Sequence, residues 1–245
     1  MIANKKIIAI IPARGGSKGL PHKNIKILEG KPLLAWSITT ALSSKYIDEV
    51  CVSSDDEKIR KLGRKHGAQT PFVRPSILAQ DTSPTMDAIF HTLDYYQQNL
   101  KQNFDIIVCL QPTSPFRETE DVDDALELLI NNENAWSVAS VTQTDKAALF
   151  ATINQKYLKW TFGAPNNMRR QDKKEQFYCL NGSIMLSWTS KLRQEGGFYH
   201  SNTLPLVMPK SKSLDIDDAL DWKTAKAIAP SALNTKYSQG AYEIP

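Results

Sequence analysis

Basic side chains and glycines gather in one loop that follows the first apolar segment of the chain. Residues 7–24 read IIAIIPARGGSKGLPHKN, so a run of β-forming isoleucines gives way to a loop with three glycines and four basic side chains. The basic side chains are Arg14, Lys18, His22 (if protonated) and Lys23. Glycines let a backbone approach a ligand closely with several N–H groups pointing the same way, and fixed cations favour an anion. The loop predicts a polyphosphate cradle, with a basic surface turn as the plainer alternative.

The spacing of the glycines excludes two familiar phosphate loops. Gly15, Gly16 and Gly19 fit neither G-x-x-x-x-G-K-[ST] nor G-x-G-x-x-G. A hydrolase triad has no support either, because Ser17 and Ser53 have no partner histidine and acid in an obvious arrangement. Any phosphate site in this loop must therefore be of another type.

A second cluster with chemical potential is the acidic segment SLDIDD at 213–218, which precedes a helical pattern over 219–228. If the segment is extended, its period of two puts Asp215 and Asp217 on one side and Ile216 towards the core. Paired carboxylates suit Mg²⁺, which also takes waters and substrate phosphate oxygens as ligands. The alternative is that Asp217 or Asp218 only caps and charges the N-terminus of the helix.

Alternating strand and helix patterns through the first 140 residues must position these clusters. The predicted strands cover 7–11, 50–52, 106–110 and 136–141, and a further extended piece covers 70–73. Four helices are predicted: one begins at Pro32, one is capped by Ser54 or Asp55, one begins at about Pro84 and one begins near position 121. This alternation predicts an α/β fold with a doubly wound, mainly parallel sheet. Because ligands bind at the carboxyl ends of such strands, the glycine loop, 53–55 and 111–114 should converge there.

The organisation beyond this region is less regular. Periodicity weakens between about 143 and 205, which predicts an insertion or excursion from the sheet rather than an independent domain. Residues 1–230 are expected to form one domain, and the polar residues 231–245 a loose C-terminal tail.

The composition of the chain excludes some classes of function. The 245 residues are 41% apolar and 23% charged, with a formal net charge of +4. The basic residues are dispersed, which argues against a nucleic-acid binder and suits a small anionic substrate. Cys51, Cys109 and Cys179 are predicted to be reduced, buried thiols of a cytoplasmic protein. No apolar run approaches the roughly 20 residues that span a bilayer, so no membrane association is expected.

Five motifs together resemble the acylneuraminate cytidylyltransferases, also called CMP-sialic acid synthetases. They are PARGGSKGLPHKN at 12–24, RPSILAQDTSPT at 74–85, LQPTSPFR at 110–117, the RRQ…NGSIML region at 169–186 and DIDD at 215–218. The resemblance implies a Rossmann-like nucleotidyltransferase architecture with a small dimerisation excursion, a homodimer, and dependence on Mg²⁺. It also implies transfer from CTP to a nine-carbon α-keto sugar acid of the N-acetylneuraminate or diacetyllegionaminate type, with release of pyrophosphate.

The resemblance also implies roles for individual residues. The implied catalytic residues are Arg14, Lys23, Asp215 and Asp217, of which Asp215 and Asp217 would hold the metal. The implied nucleotide-binding residues are Arg14, Gly15, Gly16, Ser17, Lys18, Lys23, Asn24, Arg74, Ser83 and Thr85, with the Asp81–Thr85 loop bordering the cytosine. The implied acceptor-binding residues are Gln111, Arg170, Gln171, Tyr178 and Asn181.

Other interpretations stay open at this point. Arg74 could be a solvated surface arginine, Gln111 could only close its turn, and Tyr178 could belong to the core. The acceptor could be the eight-carbon acid KDO or pseudaminic acid, and the enzyme could instead be a sugar-1-phosphate nucleotidyltransferase. A non-catalytic nucleotide-binding regulator is a further alternative.

Overall fold

The structure is a computed structural model that describes residue 2 and residues 4–144, 150–154, 157–161 and 176–232. Its strands are β1 (Ile7–Pro12), β2 (Ile27–Leu28), β3 (Lys31–Pro32), β4 (Glu49–Ser53), β5 (Ile106–Cys109), β6 (Ser137–Thr144), β7 (Ala151–Asn154), β8 (Tyr157–Trp160), β9 (Phe177–Trp188) and β10 (Thr203–Val207). Its helices are α1 (Leu33–Ser43), α2 (Glu57–Lys65), α3 (Thr85–Asn99), α4 (Thr119–Ile130), α5 (Thr189–Glu195) and α6 (Ala219–Ala232). None of these described helices has the length and apolar character needed to cross a bilayer.

A six-stranded sheet in the order β10-β6-β9-β5-β1-β4 forms the centre of the molecule. Strand β9 runs antiparallel to both of its neighbours, and the other five strands share one direction. The predicted α/β fold with a mainly parallel sheet is therefore confirmed.

The continuous apolar run of β1 follows from its central place. Ile8 and Ile10 belong to the core cluster that includes α3, whereas Ile7, Ala9 and Ile11 belong to the cluster that includes α1 and α4. All five side chains are fully buried. Burial of one such isoleucine stabilises the fold by about 1.5–3 kcal/mol, so this strand fixes where the following loop begins.

Three local predictions are wrong. The cap of α2 is Asp56, whose Oδ1 accepts hydrogen bonds from the N–H groups of Lys58 and Ile59 at 2.7 and 3.1 Å. Ser54 and Asp55 do not cap the helix because their side chains accept bonds from other backbone N–H groups.

Residues 70–73 form no strand, and only residue 69 bridges to β4. Helix α6 extends four residues beyond 228 to Ala232; residues 233–245, predicted to be a loose tail, lie outside the described residues.

The region 143–205 contributes more to the sheet than its sequence predicts. Strands β9 and β10 lie within the central sheet, and only β7 and β8 form a separate hairpin. Strand β9 lacks the alternating or continuous apolar signal because it carries Asn181, Gly182, Ser183 and Ser187 among its apolar residues. Three of these polar side chains are buried. Asn181 donates to Ser213 Oγ and Ser187 donates to the carbonyl of Trp136, whereas Ser183 Oγ has no hydrogen-bond partner among the described residues.

The prediction of three buried thiols is correct for two of them. Cys51 and Cys109 are free and fully buried, and burial raises the pKa of each thiol to about 12. Cys179 is exposed. Its part of β9 pairs with β6 but extends beyond the end of β5, so one side of this segment is left uncovered.

Candidate active site at the carboxyl edge of the sheet

A cavity of about 480 Å³ opens where β1 and β5 end. Its walls come from the glycine loop, the 74–88 segment, the turn at 111–113 and Asp217. The segment after β4 braces this wall from behind, because Asp55 Oδ1 accepts a hydrogen bond from the N–H of Gly15 at 3.0 Å. The loops that follow the three strands therefore meet, as their order along the chain predicts.

A small apolar cluster holds these loops together. Leu20 of the glycine loop, Phe116 of the turn after β5 and Ile216 of the acidic segment are buried in one cluster with side chains of α6. Ile216 also donates its N–H to the carbonyl of Thr113 at 2.9 Å. The acidic segment is thus fixed against the glycine loop and the turn, with Ile216 facing the core as predicted.

Lys23 and Asp217 make the direct contact between the two chemical clusters. The Nζ atom of Lys23 lies 3.0 Å from Oδ1 of Asp217. The backbone of the glycine loop also lies close to that of the acidic segment, because a Cβ atom added to Gly19 would lie 2.4 Å from the carbonyl oxygen of Asp217. Only a residue without a side chain fits at position 19, so this glycine serves close approach to the acidic segment.

Arg14 and Lys18 extend the cationic wall. Arg14 Nη1 lies 2.8 Å from Oδ1 of Asp81, and Lys18 Nζ pairs with the other oxygen of the same carboxylate. The buried Asn24 donates its side-chain N–H to the carbonyl of Arg14 at 3.0 Å and so fixes the loop. Ser17 also lines the cavity.

Gly15 and Gly16, the other two glycines of the loop, do not line the cavity. The N–H of Gly15 is taken by Asp55, and a Cβ added to Gly16 would meet no atom within 4 Å. Neither glycine belongs to the wall of the cavity in this structure, although both were predicted to bind the nucleotide.

Asp215 is partly buried beside the turn after β5. Burial raises the pKa of its carboxyl group above the usual range, whereas a hydrogen bond from the Thr113 side chain acts in the opposite direction. Its Oδ1 atom is buried and has no hydrogen-bond partner among the described residues. An unpaired buried carboxylate oxygen is costly, so this atom suits a bound cation.

The capping alternative applies to Asp218. Its Oδ1 atom accepts hydrogen bonds from the N–H groups of Leu220 and Asp221 at 2.7 and 2.9 Å. Asp217 instead directs its carboxylate to Lys23. Asp215 and Asp217 are therefore free of the capping role, and no cluster of three or more metal-binding side chains occurs in the part of the chain that the structure describes.

Arg74 is a buried residue of the cavity wall rather than a solvated surface arginine. Its Nε donates to Ser53 Oγ at 3.0 Å, and its guanidinium also bonds the carbonyl of Ser53. Burial lowers its pKa to about 10, so it stays charged at neutral pH. Ser83 and Thr85 line the same wall.

The residues predicted to bind the acceptor sugar acid do not all lie at the cavity. Gln111 lines the cavity. Asn181 is buried and donates to Ser213 Oγ at 2.9 Å, which ties β9 to the start of the acidic segment. Tyr178 is exposed rather than in the core, lies outside the cavity wall and donates its hydroxyl to Gln176. Arg170 and Gln171 lie outside the described residues.

Arg117 is a buried cation to which the sequence assigned no role. It donates to the carbonyls of Ser183 and Gln111 at 2.7 Å each and to the hydroxyl of Ser37. Burial lowers its pKa to about 10. An arginine that ends a Pro-Thr-Ser-Pro turn gives no sign of burial, because two of its three acceptors, Ser37 of α1 and Ser183 of β9, are far along the chain.

The fold and the cavity define an α/β protein with a cation-rich ligand site at the carboxyl ends of parallel strands. Residues 8–174 match the sequence model of the family described as Cytidylyltransferase. The chain belongs to this cytidylyltransferase family, and the resemblance seen in its motifs is confirmed.

Individual relatives agree with the family assignment. The chain is 36% identical over 219 residues to a CMP-N,N'-diacetyllegionaminic acid synthase of Legionella pneumophila, covering 89% of this chain and 93% of the relative. It is 34% identical to an N-acylneuraminate cytidylyltransferase of Escherichia coli, covering 91% of this chain and 52% of the relative. Among solved structures, a CMP:2-keto-3-deoxy-manno-octonic acid synthetase complexed with CTP has the same fold, with a TM-score of 0.70 at 18% identity, over 92% of this chain and 99% of that one.

Proposed function

We propose that the protein transfers a cytidylyl group from CTP to a nonulosonic acid of the N-acetylneuraminate or diacetyllegionaminate type, giving the CMP-sugar and pyrophosphate. The observation that carries this proposal is the contact of Lys23 with Asp217, which brings the cationic loop and the acidic segment to one cavity. The similarity to a diacetyllegionaminic acid synthase supports this class of acceptor.

The cationic wall of the cavity suits the triphosphate of CTP. Arg14, Lys18, Lys23 and Arg74 all line a space of about 480 Å³, which lies within the range of about 300–1,000 Å³ for small-molecule sites. Four cations around one space are well matched to the negative charge of a triphosphate. Ser83 and Thr85, which line the same cavity, are assigned to the nucleoside side of the same ligand.

We assign Mg²⁺ to Asp215 and Asp217. The buried, unpartnered Oδ1 atom of Asp215 fits a hard cation, and Asp217 is the next carboxylate along the same segment. With only two protein carboxylates, the remaining ligands would be phosphate oxygens and waters, which is usual for Mg²⁺. When bound, Mg²⁺ neutralises phosphate charge and polarises phosphoryl oxygens.

The reaction is an in-line displacement at the α-phosphorus of CTP. The anomeric hydroxyl of the acid forms a new P–O bond as it loses its proton, and the bond to the departing pyrophosphate breaks. Arg14 and Lys23 stabilise the negative charge that grows on the phosphoryl oxygens. Gln111, which lines the cavity, is assigned to the acceptor. Holding both substrates in attack geometry contributes about 7–11 kcal/mol to lowering the barrier.

We also infer a homodimer formed through the β7–β8 hairpin. A two-stranded hairpin is marginally stable unless another element packs on it. Phe150, Ile153, Tyr157 and Leu158 are all more than half exposed on this hairpin, and such an apolar surface is typical of an interface. Sedimentation should give a dimer for the native chain and a monomer for Ile153→Lys; a monomeric native chain would contradict the inference.

A cytoplasmic location remains an inference from the thiols. Cys51, Cys109 and Cys179 are all free in this structure, as expected in a reducing compartment.

A coupled pyrophosphate assay with CTP and Mg²⁺ tests the proposed function. The acceptor panel should contain N-acetylneuraminate, diacetyllegionaminate, pseudaminate, KDO and a hexose 1-phosphate. We expect pyrophosphate release with one of the first two acids and loss of release in Asp215→Ala, with Asp105→Ala at the opposite edge of the sheet as the control. Release with the hexose phosphate alone, or CTP binding without release for every acid, would contradict the proposal.

A further inference from the structure

Asp81 occupies the part of the cavity that the phosphates of a nucleotide need. One of its carboxylate oxygens lies 2.8 Å from Arg14 Nη1, and the other pairs with Lys18 Nζ. Hydrogen bonding from Lys18, with a smaller contribution from Arg14, lowers the pKa of the Asp81 carboxyl group. A carboxylate bridging two cations presents two acceptor oxygens to them, as a phosphate group would.

Asp81 also differs from the other acids of the site. Asp217 and Asp215 are assigned to the metal, and Asp55 is held by the backbone of Gly15. Asp81 is the remaining acid of the cavity wall in the part of the chain that the structure describes, and its charge opposes that of an incoming polyphosphate. It therefore lowers the affinity of this site for an anion as long as it stays in place.

The segment that carries Asp81 is only weakly attached. The hydrogen bonds of Gln80 and Ser83 stay within the segment, as in Ser83 Oγ to the carbonyl of Ile77 at 2.7 Å. Ile77, Gln80 and Asp81 are exposed, so few buried contacts hold the segment. A segment with few buried contacts opens at low free-energy cost.

We propose that Asp81 is an internal competitor of the polyphosphate: it pairs with Arg14 and Lys18 in the nucleotide-free protein, and nucleotide binding displaces it and frees the segment 76–82, which precedes the nucleoside-binding Ser83. This inference rests on the proposed function for the nature of the competing anion. The triphosphate outcompetes a single carboxylate because it brings several negative charges to the same cations. Since both ion pairs are partly exposed, the competition weakens binding by a modest factor.

Calorimetric titration of the full chain with CTP and with inorganic tripolyphosphate tests the inference in Asp81→Asn. The matched control is Asp87→Asn, six residues further along the chain. It removes the same charge, and the Asp87 side chain forms no ion pair with a described residue. We expect Asp81→Asn to bind both ligands about three- to tenfold more tightly than the native chain, and Asp87→Asn to change either affinity by less than about twofold. Hydrogen exchange over 76–82 should rise when CTP binds to the native chain, and should already be fast in ligand-free Asp81→Asn.

The outcomes separate this inference from the proposed function. Unchanged or weaker binding in Asp81→Asn would overturn the competitor role, and weaker binding would show that Asp81 instead holds Arg14 and Lys18 in place for the nucleotide. Tighter binding in Asp81→Asn without pyrophosphate release from any acceptor would support the competitor and overturn the proposed reaction. If neither the native chain nor Asp81→Asn binds CTP or tripolyphosphate, both are overturned.

Discussion

The Nζ atom of Lys23 lies 3.0 Å from Oδ1 of Asp217, although 194 residues separate them along the chain. The side chain of Lys23 is only 12% exposed, whereas that of Asp217 is 73% exposed. The lysine is thus fixed in the wall, and the aspartate faces the open cavity. This arrangement places a cation for phosphate and a carboxylate for a metal side by side.

The aspartate pair is tested by removing charge at constant size. Asp215→Asn and Asp217→Asn should each lower Mg²⁺-dependent turnover by at least about a hundredfold, because the metal loses a charged ligand. Steady-state assays at increasing Mg²⁺ check this. The neighbouring Asp218→Asn is the control: it removes the same charge but keeps the oxygen that caps the helix, because Asn and Asp are about equally good caps, and it should keep near-normal turnover. Equal activity in all three variants would remove the metal assignment.

Arg14 is expected to stabilise the charge of the transition state. Arg14→Ala should lower turnover by at least about 10³-fold, which is the lower end of the effect of an arginine that clamps a transferring phosphoryl group. Arg193→Ala is the matched control, since Arg193 is an exposed arginine paired with Asp94 near the opposite edge of the sheet. Near-normal turnover of a folded Arg14→Ala protein would show that Arg14 has another role.

Gly19 tests the packing that brings the two clusters together. Its added Cβ would lie 2.4 Å from the carbonyl oxygen of Asp217, so Gly19→Ala must push the acidic segment away. We expect the free energy of unfolding in urea to fall by about 1–3 kcal/mol, as in other overpacked sites. Gly16→Ala has open space around the new methyl group and should change it by about 0.5 kcal/mol or less. The packing argument fails if the two variants have the same stability.

The sequence predicts those features that local patterns determine. The buried run of β1 and the basic residues directly after it are adjacent in the chain, so their relationship is visible without a structure. The contact of Lys23 with Asp217 is different, because it depends on how α6 and the acidic segment pack under the glycine loop. The resemblance to a family suggested that these residues share a site, whereas spacing alone left open whether Asp217 binds a metal or only caps a helix.

Other features could not be read from the sequence for identifiable reasons. Strand β9 hides its place in the sheet because buried Ser183 and Ser187 interrupt its apolar pattern. The choice of Asp56 over Ser54 as the cap of α2 depends on the bonds that Ser54 makes elsewhere. Arg117 donates to Ser37 and Ser183, which only the folded chain brings to it.

Arg117 should therefore matter for stability. Arg117→Met keeps much of the volume but leaves the carbonyls of Gln111 and Ser183 without their donor. The free energy of unfolding should fall by about 2–4 kcal/mol, because buried acceptors lose their hydrogen bonds. Urea denaturation checks this against Arg193→Met, which removes an exposed arginine and should have a small effect. An unchanged midpoint for Arg117→Met would mean that these bonds contribute little.

The central claim is that one cavity holds the nucleotide between the cationic loop and the aspartate pair. Crystals of the protein grown with CTP and Mn²⁺ test it most directly, because anomalous scattering locates the metal independently of the nucleotide density. We predict a manganese peak bound to the carboxylates of Asp215 and Asp217, with the triphosphate contacting Arg14 and Lys23. A nucleotide bound elsewhere, or a metal that touches neither aspartate, would contradict the account.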